Sequence, residues 1–471
     1  MAARTYPGLV INDFSLEERI HRGSMSELWR VTHSGWELPL AMKIPSLGEG
    51  HDSAAIVGFE VEQMIMPVLT GPHVPRFVAA GDFEAQPYIV MEHIAGASLR
   101  ARIEEAPLPP EEVALLGERV ATALHDLHSQ HVIHLDIKPS NVMFRATGEA
   151  VLIDYGLARH DRLPDLLAEE FHLPMGTGPY ISPEQVRHIR SDSRSDIFSL
   201  GVVLYYLATG ERPFGNPTGV HGLRRRLYRD PVPPRAIAPA CPPWLQEIIL
   251  HCLEIDPRAR YDTAAQVAFQ CKHPEQTMLT ARGQRMSRDG FMAVAKRRLR
   301  TLGAEADPGQ SCSGRLSNAP FILAALDLSS GSETLAEAIR SAAAQAMQIR
   351  NGSRLACLSV VKTSRIGMDD ATDSEGHHLH VKGLVGLKDW ARPLGLPPTT
   401  VTYHVLEAPD PAAAIIEFAR SNHVDQIIMG ARASSTLRQY LGSVSSAVVA
   451  QAPCTVTVVR APAPAAGSKD Q

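Results

Sequence analysis

From Val10 to about Phe83, apolar and polar residues alternate in short runs such as WELPLAMKIP and PRFVAAGDF, around one stretch, AAIVGFEVEQMIMPVL, with helical spacing. Period two predicts half-buried strands and the longer period a helix, so this region reads as a small sheet carrying one helix. Beyond the strand and turn at PYIVMEHIAG the period lengthens. LPPEEVALLGERVATALHDLHSQ has Pro near its start and acids in its first turn, as helix starts do. Further helical patterns follow at SDIFSLGVVLYYLATG, PPWLQEIILHCL and TAAQVAFQC. A mostly β lobe, about 10–94, therefore precedes a mostly α lobe, about 95–275.

Residues 276–318 shift to Arg, Gly, Ser and Gln, the composition of a linker. Inside it, DGFMAVAKRRLRTLG places Phe291, Val294, Ala295, Leu299 and Leu302 on one helical face beside Lys296, Arg297, Arg298 and Arg300. This reads as a solvated linker helix, with docking on an acidic membrane or on the protein's own surface as alternatives. After Pro320 come short apolar runs, FILAALDLS, RLACLSVV, TVTYHVLEA, DQIIMGA and CTVTVVR, separated by helical stretches such as SETLAEAIRSAAAQAMQ and PAAAIIEFARSN. That alternation predicts a third unit, a parallel α/β domain over 319–461, with a flexible tail at 462–471.

A chain of 471 residues is too long for one core, which agrees with several domains. A hydrophobic fraction of 44% with 21% charged residues is that of a soluble globular protein. The net charge of -5 argues against a nucleic-acid coat. Six cysteines without a CxxC pair indicate neither a zinc knuckle nor a disulfide framework, and fit a reducing cytoplasm. The start lacks a signal-peptide core, and no apolar run reaches the ~18 residues of a membrane span.

Four short strings carry chemistry. They are AMKIP with Lys43, GFEVEQMI with Glu62, HLDIKPSN with Asp136, Lys138 and Asn141, and IDYG with Asp154. Phosphoryl transfer needs a cation on the phosphates, a metal held by oxygen ligands and an acceptor for the hydroxyl proton. These strings recur in the order protein kinases use, and residues 10 to about 275 resemble a bacterial-type Ser/Thr protein kinase domain.

The resemblance implies a bilobal α+β fold, ATP with Mg²⁺ (or Mn²⁺) as cofactors, and protein Ser/Thr hydroxyls as acceptors. It makes Lys43 the phosphate cation, paired with Glu62, and Asp136 the base, with Lys138 steadying the phosphoryl group. Asn141 and Asp154 become the metal ligands. Gly23, Ser24 and Met25 form the phosphate lid; Leu28, Ala41 and Met143 wall the adenine, beside Met91 and the Glu92–Ile94 hinge. In GTGPYISPE, Thr177 falls near the base and Glu184 matches a structural acid, with Arg260 its expected partner. Asp196 matches the acid that braces the catalytic loop from beneath.

Two departures matter. The lid IHRGSMSELWRV fits G-x-G-x-x-G only at Gly23, with His21 and Ser26 at the other positions; Ser26 is tolerable there, while His21 predicts a stiffer loop and a higher nucleotide KM. A nucleotide-binding signalling scaffold without catalysis is the competing reading. Secondly, Leu135 stands where most of the family has an Arg that holds a phosphorylated activation segment, and residues 154–175 contain no Ser or Thr. Cation and phosphate acceptor are missing together, so activity is expected to be independent of activation-loop phosphorylation.

The strand-ended ALDLS and MGARASSTLRQYLGSVSSAVVAQAPCTVTVV resemble the universal stress protein domain, an α/β doubly wound parallel sheet. Gly442 and Ser443 open a helix whose N–H groups and positive dipole end could hold phosphate. The resemblance adds Asp327 and Gly430 to a second nucleotide site, although Ala433 replaces a Gly of the pattern and the spacer before Gly442 is a residue short. A homodimer formed edge to edge through CTVTVVR is the other role the family suggests.

Overall fold

The computed structural model describes residues 5–23, 25–47, 53–171, 173–217, 219–303, 319–328, 333–349, 352–363, 378–397, 399–431 and 442–460. The alternating N-terminal segments form a six-stranded antiparallel sheet in the order Val10–Ile11, Phe14–Arg22, Ser26–Thr32, Leu40–Pro45, Tyr88–Glu92, Phe77–Gly81. One face buries Leu16, Trp29, Val31, Met42 and Val90. Against the sheet lies the helix Ser53–Ile65, anchored by Ile56, Val57, Phe59 and Ile65.

The second lobe is built on helices Pro110–Ser129, Arg194–Thr209, Pro243–Cys252 and Ala264–Lys272. Arg194–Thr209 is apolar nearly all round, as a central helix must be, and stops at Gly210, whose φ of 74° provides the left-handed cap. Packing continues past residue 275: Glu247 accepts hydrogen bonds from Thr280 and Gly283 backbone N–H, and Gln246 Nε2 donates to the carbonyl of Arg282. The amphipathic stretch is the helix Phe291–Gly303. Its Arg297 bonds Asp230 of the α lobe at 2.9 Å, whereas Phe291, Met292 and Leu299 are exposed. It touches the protein's own surface through its basic side.

The C-terminal strands form a five-stranded, wholly parallel sheet in the order Val401–Ala408, Arg354–Lys362, Phe321–Leu326, Gln426–Gly430, Thr455–Val459. Both faces are covered. Phe321, Leu323 and Ala325 join one core while Ile322, Ala324 and Leu326 join the other, which is why these strands read as unbroken apolar runs. Among the described residues no helix is long and apolar enough to cross a membrane. The described cysteines are all free.

Candidate functional site

Lys43 sits on Leu40–Pro45, opposite Leu28, and points beneath the sheet. Its ammonium lies 2.5 Å from Glu62 Oε2 and 2.8 Å from Asp154 Oδ1. Glu62 is buried, whereas the Asp154 side chain is 43% exposed and opens to the cleft. Lys43 beside it draws the Asp154 carboxyl down to about 2, against the effect of burial. Burial would lower the Lys43 ammonium, but the two carboxylates outweigh it and raise it. Burial pushes the Glu62 carboxyl up, with Lys43 pulling the other way.

Two glycines let these elements meet. A Cβ on Gly58 would stand 3.0 Å from the Gly156 carbonyl, and one on Gly156 would stand 3.3 Å from that of Gly58. The helix bearing Glu62 thus packs backbone to backbone on the turn bearing Asp154. Tyr155 closes the contact: its N–H donates to Glu62 and its hydroxyl to the Leu152 carbonyl.

The loop after Val132–Ile133 is held from below by Asp196, which is fully buried. Its Oδ2 accepts the His134 N–H at 2.9 Å and its Oδ1 the Leu135 N–H at 2.8 Å. This brace maintains Leu135 at a φ of 60°, which a non-glycine residue adopts only when its surroundings impose it. Asp136 follows, with Oδ2 2.6 Å from Lys138 Nζ and 3.2 Å from Asn141 Nδ2. Thr177 donates to Oδ1 from its hydroxyl (2.8 Å) and its N–H (3.0 Å). The Asn141 carbonyl accepts from Ile153 N–H, tying this loop to the Asp154 turn. The structure therefore brings Lys43, Glu62, Asp136, Lys138, Asn141 and Asp154 to one cleft between the lobes.

Around the cleft, Ala41 and Met91 are buried and Leu28 and Met143 partly buried. In the hinge, the N–H groups of Glu92 and His93 are taken by the carbonyls of Arg76 and Pro39, and the Glu92 side chain turns away to Arg145. Glu92 and Ile94 can thus meet a base only through the hinge backbone that remains. At the lid, Gly23 N–H donates to the Ser26 carbonyl and Met25 is exposed; Ser24 lies outside the described residues. Glu184 and Arg260 form a buried pair at 2.7 Å.

Gln185 escaped the sequence reading. It makes a capping box with Ser182 and donates from Nε2 to the carbonyls of Leu135 (2.7 Å) and Met175, pinning the activation segment to the catalytic loop. The S-x-x-Q spacing in SPEQ was the available signal. Arg190, which grips Asp165 at 3.0 Å, had none. In the C-terminal domain, Asp327 and Gly430 stand at the ends of adjacent parallel strands, where the strand order reverses, and Gly442 caps the helix Ser443–Gln451. The stretches 329–332 and 432–441 lie outside the described residues, Ala433 among them.

The family model described as protein kinase domain matches residues 14–273, and that of the universal stress protein family matches residues 321–460. The serine/threonine-protein kinase PknB of Mycobacterium leprae is 31% identical over 268 residues, which are 56% of this chain and 43% of that protein. A probable serine/threonine-protein kinase of Clostridium perfringens, CPE1738, is 30% identical over 257 residues, 54% of this chain and 37% of that one. The chain thus spans less than half the length of these curated relatives. The solved kinase domain of Mycobacterium tuberculosis PknI aligns with a TM-score of 0.44 at 21% identity, covering 57% of this chain and 100% of that one.

Proposed function

Because the chain belongs to the protein kinase domain family, we propose that it is a Ser/Thr protein kinase transferring the ATP γ-phosphoryl group to protein hydroxyls. The observation that carries this reading is the closed Lys43–Glu62 pair with Asp154 on the same ammonium, beside an Asp136 already hydrogen-bonded to Lys138 and Thr177. Asp136 accepts the proton of the attacking hydroxyl, and Lys138 offsets charge on the transferring group. Lys43 holds the α and β phosphates.

The amide oxygen of Asn141 and the half-exposed carboxylate of Asp154 make an all-oxygen donor set that fits Mg²⁺ or Mn²⁺. These two residues would hold the ion, which supplies charge neutralisation at the phosphates when bound. We read the reaction as cytoplasmic, where ATP is at hand and thiols such as the five free described cysteines stay reduced. The test is transfer of γ-labelled phosphate to a generic basic protein, read by phosphoamino-acid analysis. Label on Ser or Thr is expected; none with either Mg²⁺ or Mn²⁺ would leave the scaffold reading in its place.

With Leu135 uncharged and no Ser or Thr in residues 154–175, activity does not depend on a phosphorylated activation segment. Phosphatase-treated protein is expected to work at an undiminished rate, and a large loss would count against this. The C-terminal domain serves as a sensor and dimerisation module. Thr455–Val459 supports the second role, being an edge strand that pairs only with Gln426–Gly430 among the described residues. Asp327, Gly430, Gly442 and Ser443 are the residues for a second nucleotide, and sedimentation with and without ATP would report both roles.

A further inference from the structure

Within the activation segment, the short helix Leu166–Glu170 ends in two acids, Glu169 and Glu170, whose side chains are 9% and 3% exposed. Their partners come from the C-terminal domain. Arg354, at the start of Arg354–Lys362, donates to Glu169 Oε1 at 2.6 Å. His404, on Val401–Ala408 and fully buried, places Nε2 3.0 Å from Glu169 Oε2 and Nδ1 2.9 Å from Glu170 Oε1. Asn422 Nδ2 donates to the Glu169 main-chain carbonyl at 3.1 Å.

The same domain grips the helix that carries Glu62. Lys388 lies 3.0 Å from Glu60 and 5.4 Å from the Phe83 ring, and Arg392 pairs with Glu84. Every acid in these contacts belongs to the kinase domain and every cation to the C-terminal domain. Acids this little exposed need partners, and here the C-terminal domain supplies them, so undocking would leave Glu169 and Glu170 without the cations that hold them. The two elements held are the ones a kinase must have in place, the helix of the Lys–Glu pair and the activation segment.

We propose that Arg354 and His404 are positioning residues for phosphoryl transfer, the C-terminal domain supplying from its sheet the cations that hold the activation segment in place of a phosphate-dependent clamp. This rests on the kinase reading above. Glu169 and Glu170 act as the fixed negative charges, and Leu135, which cannot bind a phosphate, is held by its backbone bonds to Asp196 and Gln185 and by its buried side chain.

The cluster gives the contact a pH dependence. Burial would lower His404, but Glu169 and Glu170 outweigh it and raise the imidazole to about 9; burial raises Glu170 to about 7. The other groups facing His404 are Thr402 on its own strand, Phe418 and His380, with Arg354 across Glu169 and Glu60 acting on Glu170. His404 binds its proton more tightly docked than free, so its contribution to docking is full below the ordinary imidazole range and is lost as pH rises through about 9. That of Glu170 is full below the ordinary carboxyl range and is lost as pH rises through about 7. Glu169, which burial would raise but His404 and Arg354 hold down, loses its contribution as pH falls below the carboxyl range.

The full-length protein with Arg354→Gln, Glu169→Gln and both together tests this, using kcat, KM for ATP, and hydrogen exchange over residues 163–171. Each single variant is expected to lower kcat about tenfold and speed exchange in that segment, and the double to lose no more than either alone. Arg354→Lys should recover most of the rate, and His404→Gln should remove the alkaline fall of the pH profile. Glu169→Gln breaks the contact from the kinase side, so a folding defect of the C-terminal variant does not decide the matter. Unchanged kcat in both singles, additive losses, or a lower kcat with unaltered exchange would overturn the proposal. A wild-type chain without transfer removes the kinase reading instead, and exchange, which needs no activity, then decides the contact by itself.

Discussion

Asp136→Asn lowers phosphoryl transfer by about 10²–10⁴-fold, the range that removing a positioned proton acceptor produces. The substitution keeps the side chain's shape, and an amide oxygen at Oδ1 still accepts from Thr177. What is lost is the carboxylate at the Oδ2 side, where Lys138 and Asn141 both donate and an amide nitrogen cannot accept. The chain should therefore stay folded, with ATP binding close to wild type, while label transfer disappears. Label persisting at a rate near wild type would exclude Asp136 as the base.

Arg260→Met is expected to destabilise the kinase domain by about 3–5 kcal/mol, because it leaves a buried acid without its cation. Glu184 has little else to turn to. Both its oxygens face Arg260, at 2.7 and 3.2 Å, with Ser195 a distant third contact. The guanidinium also donates to the carbonyls of Glu254 and Arg194 and lies 4.9 Å from the Phe198 ring, so several elements lose a common anchor. A denaturant midpoint within experimental error of wild type would show that the pair does not hold the lobe. The same experiment on Glu184→Gln, which keeps an acceptor for Arg260, should give a smaller loss.

Much of this site was legible because its chemistry admits few residue types. Lys43, Asp136, Asn141 and Asp154 are each fixed by what phosphate, metal and hydroxyl require, and their order along the chain survives without any structure. The parallel sheet was legible for another reason: strands buried on both faces leave unbroken apolar runs such as FILAAL and RLACLSVV. The helix Leu379–Ala391 was missed, since Gly383 and Gly386 interrupt LHVKGLVGLKDWA; the structure needs Gly383 because a Cβ there would stand 3.0 Å from Val405.

The docking contacts left no trace at all. Arg354, His404 and Asn422 lie 185, 234 and 253 residues from their partners, and Glu169 and Glu170 read locally as two solvated acids. Periodicity reports which face of an element is buried, not what buries it. The Gly58–Gly156 approach was hidden likewise, because the partner of each glycine lies almost a hundred positions along the chain and nothing local to either announces a backbone contact.

A covalently marked loop has memory: it keeps its state until a second enzyme erases the mark. The segment over residues 154–175, with no Ser or Thr to carry one, has none. Under the proposed docking its state would last only as long as the neighbouring domain stays seated, and domain movements of that kind run on microseconds to milliseconds. Such a kinase would follow its signal almost instantly and forget it as fast.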